Sequence, residues 1–84
     1  MQSIIKIERE IGGKRYIATA TPNGDMTYSC CTFQQHAPGL SLHHLPAHDR
    51  LALSEHDARN QLTISLATLA VADATRKAAN ELAH

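Results

Sequence analysis

Six histidines and two adjacent cysteines are the residues of this chain whose types could do chemistry. Four of the histidines, His36, His43, His44 and His48, crowd into residues 34–50, and His56 follows close behind. Neutral imidazoles beside a thiolate are natural ligands for zinc. His36, His43, His44 and His48, with Cys30 or Cys31, are therefore the candidate metal ligands. Their spacing does not favour the idea: no C-x-x-C or H-x-x-x-H stands on a regular element, because Pro46 interrupts the interval from His44 to His48. Neighbours such as His43 and His44 also rarely share one small ion. The expectation is no cofactor, with zinc or another transition metal held by this loop as the runner-up. The same imidazoles would make the segment charge-sensitive at a pH of about 6.

A thiol nucleophile can be assembled on paper from Cys30 or Cys31, His36 and Asp49, yet such chemistry depends on neighbours in space rather than in sequence. There is no phosphate-cradling glycine loop, paired-carboxylate motif or metalloprotease signature. The residues point away from an enzyme.

The elements that would position these groups are easier to read. Residues 4–10, 14–21 and 26–33 are rich in β-branched and aromatic side chains and are separated by Gly12-Gly13 and by Pro22-Asn23-Gly24-Asp25. Both separators tolerate the positive φ of tight turns, which predicts a three-stranded antiparallel meander. With both as simple hairpins, Ile5, Ile7, Tyr16, Ala18, Ala20, Cys31 and Phe33 share the core face. Lys6, Glu8, Ile17, Thr19, Met26, Tyr28 and Cys30 then share the other. A bulge at Gly24 would shift the third strand by one residue and exchange Tyr28 with Phe33. On the simple register Ile17, Met26 and Tyr28 form a small exposed apolar patch, and together with His43 and His44 they are the candidates for contacting a partner.

From Ser54 to about Leu82 the chain reads as one long helix. Ser54 can cap the first turn, and Glu55 and Asp57 complement the dipole there. At about 100° per residue, Ala58, Leu62, Leu66 and Leu69 fall on one side, continued by Asp73, Arg76 and Asn80. Ile64, Ala67, Val71, Ala74, Ala78 and Leu82 fall on the opposite side in a narrow seam. One of the two stripes can cover the sheet, which leaves the other for a second copy or another protein. The small residues Ala67, Ala74 and Ala78 favour close helix-to-helix approach in that seam, which makes its six positions the expected dimer interface. Between strands and helix, residues 34–53 are expected to form a surface loop pinned by Leu40, Leu42, Leu45 and Leu51, with a short helical turn near residues 40–44.

The predicted fold is α+β, a meander (1–33), a His- and Pro-containing connection (34–53) and one helix (54–83) packed on one sheet face, forming a single domain over 1–84. At 84 residues its core is small enough to need help, and dimerisation is the simplest source. Eight basic and eight acidic residues give no net charge, and the isoelectric point is about 7.0. Neither nucleic acid nor an anionic membrane is signalled. A nucleic-acid-binding dimer would require Lys6, Arg9, Lys14 and Arg15 to form one basic strip. No apolar run is long enough to span a bilayer, the first residues lack the pattern of a signal peptide, and adjacent cysteines make a poor disulfide, so the expected compartment is the cytoplasm.

In size, neutrality and lack of chemical motifs the chain is like many small accessory proteins of bacteria and their phages, some of which occlude a larger protein's surface. The reading that follows is a small non-enzymatic homodimer that works by binding another protein as an accessory or inhibitor.

Overall fold

Gly12 and Gly13, at φ 60° and 81°, close a two-residue turn between β1 (Ile5–Ile11) and β2 (Lys14–Pro22). Two successive positive φ values give the primed turn whose twist suits a hairpin. The computed structural model describes residues 3–83. It is α+β: an antiparallel sheet with one long C-terminal helix packed against it.

The second turn decides which side chains face the core. Pro22 pairs with Tyr28, the first residue of β3 (Tyr28–Gln35), which leaves residues 23–27 as a five-residue loop. Asn23 donates its backbone N–H to the Thr27 carbonyl at 3.0 Å, and Asp25 Oδ1 accepts from the Thr27 N–H at 3.1 Å. Gly24 and Met26 supply positive φ, 88° and 71°. The odd loop length shifts β3 by one residue relative to a simple hairpin, so every β3 side chain changes face. Tyr28, Cys30 and Thr32 point into the core with Ala18 and Ala20, whereas Cys31 and Phe33 lie on the outer face with Ile17 and Thr19.

Met26 occupies a left-handed conformation that costs an L-residue about 1 kcal/mol, while its side chain is solvent-exposed. Met26→Gly is expected to raise stability by about 0.5 kcal/mol in urea unfolding, after allowance for glycine's extra chain entropy. A loss of stability would show that the thioether makes a contact the fold needs.

The sheet has more than three strands. β4 (His43–His44) and β5 (Arg50–Ala52) both pair antiparallel with β3, separated by a 3₁₀ turn at Pro46–His48. Together they make an interrupted fourth strand in which residues 45–49 stand opposite only Cys31 and Thr32. The interruption has a local cause: the Leu45 N–H still reaches the Thr32 carbonyl at 2.9 Å, but Pro46 has no N–H to continue the ladder. The connection thus contributes two short strands to the sheet and is irregular between them. The expected helical turn near residues 40–44 does not form. Leu40, Leu42 and Leu51 are exposed and do not pin the backbone, and only Leu45 is half-buried.

α1 (Glu55–Leu82) starts with a reciprocal cap. Ser54 Oγ accepts from the Asp57 N–H at 3.0 Å, and Asp57 Oδ2 accepts from the Leu53 N–H at 3.0 Å, satisfying donors at the helix entry. The helix lays Ala58, Leu62 and Leu66 into a shallow trough floored by Ala18, Ala20 and Ala52, with Ile5, Tyr28 and Cys30 in the same cluster and Leu69 at its edge. Fully buried alanines on the sheet are what let the helix come close. Toward its C-terminus the helix overhangs the sheet. From Ala70 to Ala83 only Asp73 is part-buried, against the hairpin at Gly12, where a side chain in place of the glycine hydrogen would collide with its carboxylate.

Candidate functional site

Two features stand out from this frame, one on each side of the molecule. The first is the helix face turned away from the sheet. The leucine stripe is the one that packs inward, so the opposite seam is open: Ile64 is 56%, Val71 66% and Leu82 89% exposed, and Ala67, Ala74 and Ala78 lie exposed between them. Ile64, Ala67, Thr68 and Val71 border a shallow groove of about 310 Å³.

Thr68 and Thr75, which sequence reading left out of the seam, fall along one edge of it, beside Ile64 and Leu82, at about 100° per residue. Their hydroxyls donate back to the carbonyls of Ile64 and Val71, each at 2.8 Å. The signal was in the sequence, but a hydroxyl reads as polar until its bond is seen. With the hydroxyl satisfied inside its own helix, the threonine presents a methyl group and leaves no donor wanting. The middle of this stripe carries no charged residue, and Glu81 borders it beside Ala74 and Ala78. Asp73 pairs with Arg76 at 3.6 Å and Lys77 at 3.4 Å, away from it.

The second feature is on the outer face of the sheet. Because β4 ends at His44 and β5 resumes at Arg50, the intervening bulge folds Asp49 back beside His44, over Cys31. His44 Nε2 donates to Asp49 Oδ1 at 2.8 Å. The Cys31 sulfur, a His44 ring nitrogen and an Asp49 carboxylate oxygen all lie within 4.8 Å of one another. Phe33, also on this face, meets the His44 ring in a tilted contact, with a centroid separation of 5.4 Å and an interplanar angle of 39°. Beside the cluster is a depression of about 370 Å³ bordered by Ser29, Arg50 and Leu51.

Burial pushes the Cys31 thiol above its ordinary range, and the Asp49 carboxylate adds to this both by its charge and by accepting from the thiol. Burial also raises Cys30, with Asp57 and Cys31 contributing. Cys31 is therefore a protonated thiol at neutral pH rather than an activated thiolate. Two outcomes are expected from alkylation with mass-spectrometric mapping. Cys31 reacts slowly at neutral pH and Cys30, in the core, only on unfolding; and Asp49→Asn speeds Cys31, because removing the carboxylate lowers the thiol's pKa. Equal rates in both proteins would show that Asp49 does not control the thiol.

The sequence-derived sites are partly rearranged. Of the metal candidates, His44 and Cys31 reach the cluster. Cys30 is buried in the core on the helix side, and His43, opposite Gln34, points to that side as well, since successive strand residues alternate faces. His48 sits at the end of the 3₁₀ turn near Leu69 and Arg76, and His36 lies exposed beyond β3. Asp49 joins Cys31 and His44 in their place. Asp49 was legible only as a distant carboxylate, because nothing local announces a bulge that returns it to His44.

The exposed aromatic patch does not form. Tyr28 is 2% exposed, in the core, as the shifted register requires, and Ile17, though on the outer face, is only 8% exposed where it pairs with Phe33 and Glu8. Neither is available to a partner; Met26, His43 and His44 are exposed but separate. The four hairpin cations do not form one strip. Lys6 and Arg15 share Glu8 at 3.2 and 3.3 Å on the outer face, while Arg9 and Lys14 alternate to the other. Comparison with protein-family models, with curated proteins and with solved structures finds no match to the chain.

Proposed function

We propose that this chain is a small non-enzymatic binding protein that pairs with a second copy of itself through the outer seam of α1 and acts, as a dimer, by covering part of another protein. The observation that carries the pairing is the uncharged stripe of Ile64, Val71 and Leu82 interleaved with alanines, open to solvent along the helix. At about 1.5 Å per residue it runs roughly 27 Å from Ile64 to Leu82. A stripe of that length and regularity is long for a monomer surface. The alternating three- and four-residue spacing is the one that keeps a seam facing a second helix.

Charge does not oppose the pairing. Asp73, Arg76 and Lys77 bond to one another outside the stripe, and Glu81 lies at its border near the C-terminal end. A two-fold axis across the seam makes the contact self-complementary and closes the assembly at two copies. Accessory or inhibitory binding to a larger protein is supported by small size and neutrality, and by the absence of a recognisable catalytic motif in the sequence.

Native mass spectrometry of the untagged protein tests the dimer. A mass twice 9.2 kDa, dissociating on dilution without unfolding, is expected; a monomer at every concentration would reject self-pairing. Affinity capture with the assembled dimer as bait then asks for the larger partner.

A further inference from the structure

The outer-face cluster carries an inference independent of the helix seam. We infer that Cys31, His44 and Asp49 form a three-ligand site for a divalent transition ion of zinc type. The donor set is sulfur, nitrogen and oxygen, which suits an ion of intermediate softness and does not suit magnesium or calcium, whose ligands are all oxygen.

The donor atoms already lie within 4.8 Å of one another. Tetrahedral zinc, with bonds of about 2.0 Å to nitrogen and oxygen and 2.3 Å to sulfur, needs separations of roughly 3.3 to 3.5 Å. His44 Nε2 and Asp49 Oδ1 stand at 2.8 Å. Coordination thus requires parting this pair slightly and drawing in the Cys31 sulfur from a separation of at most 4.8 Å.

The frame around the donors is built rather than incidental. Cys31 is fixed within β3, paired with Thr19 of β2 on one side and facing the bulge on the other. Phe33 packs beside the His44 ring, and Asp49 is delivered by the bulge between β4 and β5. Binding releases the thiol proton to solvent, requires the neutral His44 ring to carry its proton on Nδ1, and converts the cluster from a hydrogen-bonded trio into a coordinated one. Three protein ligands would leave a fourth position for water, and a depression bordered by Ser29, Arg50 and Leu51 adjoins Cys31 and Asp49.

The test uses the full, untagged chain titrated with zinc chloride by calorimetry, with cobalt(II) as the spectroscopic probe. One ion per chain is expected, with a thiolate-to-cobalt charge-transfer band and protection of Cys31 from alkylation. Cys31→Ser and Asp49→Asn should each weaken zinc by at least about a hundredfold, whereas His43→Gln and His48→Gln leave affinity unchanged. Circular dichroism of each variant, without metal, separates ligand loss from misfolding. Absence of uptake at micromolar zinc overturns the site. So does uptake that survives Cys31→Ser or follows His43 and His48. The seam variants leave zinc binding untouched, so failure here and failure of the dimer are distinguishable.

Discussion

Leu62→Ala removes about 3 to 4 kcal/mol of folding stability, toward the upper part of the range for buried leucines. Leu62 is 1% exposed and is one of the two largest side chains that are fully buried. Its neighbours across the interface are the short side chains Ala18, Ala20 and Ala52, fixed to the sheet. They cannot reach into the vacated space, so the cavity persists and its cost adds to the lost transfer energy. For an 84-residue chain, whose total stability is on the order of 4 to 12 kcal/mol, that is a large fraction. Urea unfolding at fixed protein concentration should show a lower midpoint with an unchanged slope, and melting should fall by roughly 12 to 25 °C. The exposed Leu53→Ala, by contrast, should stay within about 0.5 kcal/mol. A cost below about 1 kcal/mol for Leu62→Ala would mean that the helix does not rest on the alanine trough.

Val71→Glu, and separately Ile64→Glu, is expected to abolish self-association while leaving the monomer folded. Both positions are exposed in the single chain, so a carboxylate there is hydrated and costs the monomer little. In a symmetric seam each substitution places two like charges in the contact, without cations to meet them. An unpaired charge forced from water costs several kcal/mol, enough to weaken pairing by more than about a hundredfold. Sedimentation at matched concentrations would show the monomer mass with an unchanged helical signal. Dimers that persist in both variants would place the interface elsewhere. Leu66→Glu is the informative contrast, since it buries the charge under the helix and should unfold the chain.

Much of the fold was readable before the coordinates, and the failures have specific causes. The capping serine and the inward leucine stripe of α1 followed from periodicity and local chemistry. The first hairpin did too, since two glycines admit one tight turn. The second hairpin misled because a methionine at φ 71° carries no sequence mark, and one extra loop residue inverts the whole of β3. The same parity error placed Cys31 inside and Tyr28 outside. The short strands after Gln35 were invisible to periodicity, since two and three residues are too few to show alternation. They form because β3 offers an open edge, which is a tertiary reason. The Cys31, His44 and Asp49 grouping depends on both that edge and the bulge, and on no spacing rule.

The bulge that builds the cluster also breaks what would have been a long free margin of the sheet. His43–His44 and Arg50–Ala52 are stubs on either side of a proline-containing turn, and the opposite margin, along β1, carries Lys6, Glu8, Arg9 and Glu10. Neither border offers an intruding strand a flat, neutral row of backbone groups. Polymerisation by strand addition is thus obstructed at both ends. Concentrating the protein should lead to discrete particles of fixed size instead of fibres.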